Sequence, residues 1–297
     1  DDGSLTALAP ATGEVRWTVN VMEEAGSASN LSWGVSSSPL VDEGRVVVQA
    51  GVGGHVAIAV DAKTGAVVWK SEAKGKGGYA HPVLLDMSMG RQLVLFGGER
   101  VFGVERTTGK TLWSVPWTTS YDVNASSPIT RGGRVFCTSG YGHGSVMLDV
   151  GRTGATVVWE TKALGSKFPA ALLDGEVVYG NNDGRLVALD WKTGKQLWEG
   201  SGKELRVGAG GSLVRVGDKL LLWSERGTLT LAKADAAGIT VLAQKESVVE
   251  TDQAWSHPAL SNGFLFVKGA RKLVAIDPVF SERIQGVVKR ISPPGVV

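Results

Sequence analysis

Asp190-Trp191-Lys192-Thr193-Gly194-Lys195-Gln196-Leu197-Trp198 follows directly on the alternating run Arg185-Leu186-Val187-Ala188-Leu189. The phrase returns as Asp61-Ala62-Lys63-Thr64-Gly65 ending at Trp69, and as Glu105-Arg106-Thr107-Thr108-Gly109 ending at Trp113. Weaker copies are Thr12-Gly13 before Trp17 and Thr153-Gly154 before Trp159. The tryptophans recur at 17, 69, 113, 159 and 198, a drifting period that marks one supersecondary unit per repeat. Alternation of apolar and polar residues makes a strand with one buried face. The Asp or Glu accepts hydrogen bonds from turn N–H groups. Gly supplies positive φ, and the chain reverses into a strand that ends in Trp. A large flat side chain recurring once per unit is expected to pack between units.

The composition agrees with short strands and tight turns. Of 297 residues, 43% are hydrophobic, with 41 Gly and only 10 Pro. No long segment has helical period, which points to an all-β chain. A net charge of +2 without a basic cluster gives no reason to expect nucleic acid. No apolar run reaches membrane-spanning length. Cys137 is the sole cysteine, so no intramolecular disulfide or thiolate cluster forms. Its place in the apolar run Arg134-Val135-Phe136-Cys137-Thr138 predicts a buried, inert thiol.

Residues 3–19 read as the second half of a unit, which suggests that an N-terminal portion precedes them. Complete units follow, each of four short antiparallel strands, as in a propeller blade. Most begin at a Pro-headed run: Ser37-Ser38-Pro39, His81-Pro82, Ser127-Pro128, Phe168-Pro169 and His257-Pro258. First strands are expected near 36–41, 80–85, 125–130, 168–173, 211–215 and 256–260. The fifth unit, 212–242, lacks both the Pro and the Trp. A fourth strand for the last unit is expected, if anywhere, between Ile284 and Ile291.

The phrase Ala-x-Asp-x-x-Thr-Gly-x-x-x-Trp, together with the Ser-x-Pro heads, resembles the quinoprotein-type (PQQ-like) β-propeller repeat over roughly residues 3–277. Val35-Ser36-Ser37-Ser38-Pro39-Leu40-Val41, Val135 to Gly142, and Ala254-Trp255-Ser256-His257-Pro258 resemble the proteins similar to the outer-membrane assembly lipoprotein BamB. The resemblance implies a propeller of four-stranded blades, eight when complete, with about six to seven in this chain. It further implies one domain over 1–280, with 281–297 as a C-terminal strand or tail. The fold is expected to need a strand from outside these residues for closure. A non-enzymatic scaffold in the periplasm or cell envelope, binding protein partners and tethered through an N-terminal anchor, is the implied role. Quinone-dependent members of this fold carry an adjacent cysteine pair and Glu, Asn and Asp ligands to calcium. One cysteine excludes the pair and the sequence shows no convincing calcium constellation, so no PQQ, calcium or other cofactor is expected.

Function in such a fold belongs to the first-strand heads and the loops before them. These carry Trp33, Tyr79, His81, Tyr121, Asp122, Asn124, Lys167, Phe168, Arg206, Trp255 and His257. His81 and His257 precede Pro at equivalent positions of different units. Either these residues bind a partner or ligand at the channel mouth, or they hydrogen-bond loop backbone and shape the rim. A small molecule or carbohydrate at the mouth and a quinone-dependent oxidoreductase are the rival functions. His55 and His143 lie in Gly-rich turns and are expected to be solvated. Gly51-Val52-Gly53-Gly54 and Gly208-Ala209-Gly210-Gly211 lack the Gly-Lys-Ser/Thr ending of a phosphate loop. Gly142-His143-Gly144-Ser145 does not complete a nucleophile elbow.

Overall fold

The computed structural model describes residues 2–200, 202–249 and 253–277. The expected tail at 281–297 and the strand between Ile284 and Ile291 lie outside them. The chain divides into two compact units, residues 1–162 and 163–297.

The first unit holds three four-stranded antiparallel sheets. Their strands are Leu40–Asp42, Arg45–Gln49, Ala57–Asp61 and Val67–Lys70; Val83–Met87, Gly90–Phe96, Arg100–Val104 and Thr111–Pro116; and Ile129–Arg131, Arg134–Ser139, Gly144–Val150 and Ala155–Thr161. A two-stranded sheet, Ser4–Leu8 with Val15–Asn20, precedes them. The second unit holds two more four-stranded sheets, spanning 172–199 and 212–245. It also holds a three-stranded one, Ala259–Ser261, Phe264–Lys268 and Leu273–Ile276. Each of these three- and four-stranded sheets is an antiparallel meander, the blade of a β-propeller.

Middle strands are buried on both faces, and fourth strands expose alternate residues. Apolar side chains of adjacent blades meet face to face. Leu85, Phe96 and Trp113 of one blade pack with Val135, Cys137 and Leu148 of the next. Val177, Tyr179 and Ala188 pack likewise with Leu213, Leu220 and Leu222.

The repeated phrase builds this packing. Asp190 Oδ1 accepts from the Lys192 and Thr193 N–H groups at 3.1 and 2.8 Å, and from Thr193 Oγ1 at 2.7 Å. Asp61 does the same with Lys63 and Thr64. The tryptophan that follows docks on the corresponding turn of the next blade. The indole N–H of Trp17 donates to the Ala62 carbonyl at 3.1 Å, Trp69 to Arg106 at 3.1 Å, and Trp198 to Asp235 at 2.8 Å. Trp113 reaches the next turn through a relay. It donates to Gln92 Oε1 at 2.7 Å, and Gln92 Nε2 donates to the carbonyls of Gly151 and Arg152.

The turn glycine therefore meets two demands. Gly109 sits at φ +76°, and a Cβ there would lie 2.7 Å from the Trp69 ring. Trp69 and Trp113 are buried, as expected. Trp159 and Trp198 are only half-buried, against the expectation of close packing between units; their strands, unlike those of Trp69 and Trp113, bury no residue fully.

First strands begin later than the sequence suggests, at Leu40, Val83, Ile129, Leu172 and Ala259. Four of these follow immediately on Pro39, Pro82, Pro128 and Pro258. Proline has no N–H for the ladder, so it closes the loop and the ladder starts after it. Gly51 to Gly54 is not an open turn. Val52–His55 pairs with Lys74–Lys76 as a ribbon beside the short helix Val21–Ala25. A Cβ on Gly51 or Gly54 would meet backbone oxygens at 2.4 Å, so only glycine permits this approach.

Candidate functional site

A four-stranded meander puts its first and third turns at one end. The second hairpin and the loop leading into the first strand lie at the other end. The Thr-Gly turns occupy the first end and every candidate residue the second, so the candidates share the loop end of their blades.

In the first unit the loop end is rich in aromatic pairs. Trp33 is 57% exposed and meets Tyr79 edge-on, with ring centroids 5.9 Å apart. The Tyr79 hydroxyl accepts from the Trp33 backbone N–H at 3.4 Å, and burial raises its pKa above the ordinary tyrosine value. Tyr121 is 69% exposed and meets Tyr141 at 5.6 Å. Tyr121, Asp122 and Tyr141 have φ of 63°, 56° and 57°, the left-handed region that non-glycine residues seldom adopt. Lys76 holds the strained segment. Its ammonium lies 2.8 Å from Asp122 and 3.0 Å from Glu99, and these two carboxylates, Asp122 foremost, raise its pKa. His81 Nδ1 lies 2.6 Å from Ser127 Oγ, and burial of the ring lowers its pKa.

Asn124 is not a surface group. It is fully buried, donates to the carbonyls of Gly97 and Gly98 at 2.8 and 3.1 Å, and accepts from Ser139 Oγ at 2.8 Å. Its carbonyl accepts from the Tyr79 and Ala80 N–H groups. It ties three loops together from within.

The second unit has its own cluster. Trp255, 47% exposed, stacks at 31° on Phe168 with centroids 5.3 Å apart. Its ring lies so close to Gly210 that a Cβ there would sit 2.0 Å away. The Lys167 ammonium lies 5.5 Å above the Phe168 ring. His257 Nε2 accepts from the Ala170 backbone N–H at 3.1 Å. Arg206 is exposed beside the short turn Lys203–Leu205.

Neither turn histidine is simply solvated. His55 Nδ1 bonds the Ser71 carbonyl. His143 is half-buried and meets Trp117 edge-on at 4.3 Å. Cys137 is fully buried, and burial drives its thiol pKa far up, as expected of an inert thiol. Among the described residues no three His, Cys, Asp or Glu side chains are placed to hold a metal ion.

Sequence reasoning missed Tyr141, Lys76, Glu99 and the Trp117–His143 pair. Gly140-Tyr141-Gly142, an aromatic residue between glycines in a hairpin, was the available signal for Tyr141.

Comparisons with known proteins agree with this architecture. The structure superposes on BamB from Moraxella catarrhalis with a TM-score of 0.68 and 20% identity, covering 92% of this chain and 76% of that one. It matches the computationally designed Ika8 protein at 0.64, with 14% identity and coverages of 90% and 74%. It also matches the β-propeller domain of Cps50 (Swd1) from Myceliophteria thermophila at 0.60, with 14% identity and coverages of 89% and 88%. At these identities the likenesses establish a β-propeller fold and nothing finer. No curated protein matches the sequence. A family model described as outer membrane protein assembly factor BamB matches residues 1–200 of the 297, and the chain belongs to that family.

Proposed function

We propose that this protein is a non-enzymatic propeller of the cell envelope that presents the loop ends of its blades to protein partners. One observation carries the reading. Tyr121 and Tyr141 are exposed against backbone preference, and a clamp of Lys76 on Asp122 and Glu99 fixes the segment that carries Tyr121. Non-glycine residues in the left-handed region cost of order 1–3 kcal/mol each, so this display is maintained at a cost to stability. Exposed tyrosine and tryptophan anchors are the commonest energetic centres of protein interfaces, and Trp33 and Tyr79 add a second pair on the same unit. The family's description as an outer-membrane assembly factor supports the envelope setting.

The test is quantitative co-purification from an envelope fraction. Wild type and the double variant Tyr121→Ala, Tyr141→Ala are compared at matched thermal stability. A partner recovered in stoichiometric amount with wild type should drop at least about tenfold with the variant, a change of ~1.4 kcal/mol. Equal recovery would reject the tyrosine face as the docking surface.

A further inference from the structure

A cleft of about 400 Å³ opens at the loop end between the 83–116 and 129–161 blades. Its volume lies within the usual range for small-ligand sites. Trp117, His143, Ser145, Glu160 and Lys162 line it, with Thr118 at the rim. Its chemistry is distinct from the tyrosine pair nearby.

The inner wall is apolar and fixed. Trp117 is buried, its indole N–H donates to Ser139 Oγ at 3.0 Å, and its backbone N–H donates to the Glu99 carbonyl at 2.8 Å. It therefore offers ring surface rather than a donor. His143 stands edge-on against it, 77° between planes. Burial foremost, and then the Lys162 charge, lower the His143 pKa below the ordinary histidine value. At neutral pH the ring is an uncharged imidazole, one nitrogen a donor and the other an acceptor. The Lys162 ammonium donates to the His143 carbonyl, which steadies the hairpin.

The outer wall is polar and balanced. Glu160 supplies acceptors, Lys162 donors, and Thr118 a hydroxyl that is both. An anionic ligand meets the Glu160 carboxylate, and a cationic one meets Lys162. A neutral polyhydroxyl ligand satisfies both at once, with vicinal hydroxyls on the carboxylate and its apolar C–H face against the His143–Trp117 wall.

We propose that this cleft binds a neutral saccharide, seated on His143 and hydrogen-bonded by Glu160 and Lys162. Tyr121 and Tyr141 do not line this cleft.

Titration of the full chain with lactose, maltose, cellobiose and N,N′-diacetylchitobiose tests it by calorimetry and by amide chemical-shift mapping. Glucose 6-phosphate and a glutamate-rich peptide serve as charged probes. At least one neutral disaccharide should saturate with Kd of about 10 mM or tighter. Its shifts should be confined to residues 116–118, 143–145 and 160–162. Glu160→Gln, an exposed and fold-neutral change, should weaken that binding about tenfold. His143→Ala should weaken it at least as much, and if that variant fails to fold the Glu160→Gln arm decides. Absence of saturation by all four sugars would overturn the proposal. So would shifts elsewhere, tighter binding of either charged probe, or unchanged affinity in Glu160→Gln.

Discussion

At the scale of single residues, the Thr-Gly turn does two jobs with one short phrase. Its carboxylate collects the turn donors, and its glycine leaves room for the preceding blade's indole. Asp190→Ala removes three hydrogen bonds from its own turn. It should cost about 1 kcal/mol, as does loss of a helix cap with the same bonding. The Thr193 hydroxyl, foremost, and the turn N–H groups hold the Asp190 carboxyl below its ordinary pKa, against partial burial. A carboxyl with a depressed folded pKa stabilises the fold above its unfolded value, near 4, and this contribution is lost as pH falls through the folded value. Urea titrations from pH 6 down to pH 2 should therefore show the wild type and Asp190→Ala converging at the acid end. This turn was fully legible because all its partners lie within three residues. His55 was not, since its partner, the Ser71 carbonyl, lies 16 residues away and nothing local announces it. Asn124 misled for a related reason. A polar residue in a loop reads as rim, yet its side chain's bonding partners on three separate segments place it inside.

At the scale of elements, blades are joined by tryptophans reaching across. Trp113→Ala removes a buried indole and should cost roughly 3–5 kcal/mol. Gln92→Leu keeps the volume but orphans the Trp113 N–H and the Gly151 and Arg152 carbonyls. It should cost about 1–3 kcal/mol. If denaturation in urea showed Gln92→Leu to be neutral, the relay would be packing rather than bonding. Gly109→Ala forces a Cβ into the Trp69 ring at positive φ. A loss of about 1–3 kcal/mol is expected, whereas Gly132→Ala, where a Cβ meets nothing, tests positive φ alone. The strands themselves could be read from alternation, but their starts could not. Ser37 and Ser126 are buried like strand residues, while the proline two residues on delays the ladder. The ribbon Val52–His55 was hidden because close backbone approach and an open turn both call for glycine.

At the scale of the whole molecule, the blade pattern was legible because each repeat restates it, and the family match covers residues 1–200. The exposure of several proposed docking residues was legible in outline. The loops before the first strands do carry Trp33, Tyr121 and Trp255 exposed, with Tyr79 half-buried. The Lys76–Asp122–Glu99 clamp was not legible, since it joins segments from three parts of the chain. The central claim is that partners dock on this loop end and not on the turn end. Site-specific photocrosslinking in intact cells tests it most directly, with a photoreactive residue replacing Tyr121 at the loop end or Thr64 at the turn end. A discrete crosslinked partner at 121, abolished by Tyr141→Ala and missing at 64, is the predicted result. A partner captured at 64 and none at 121 would contradict it.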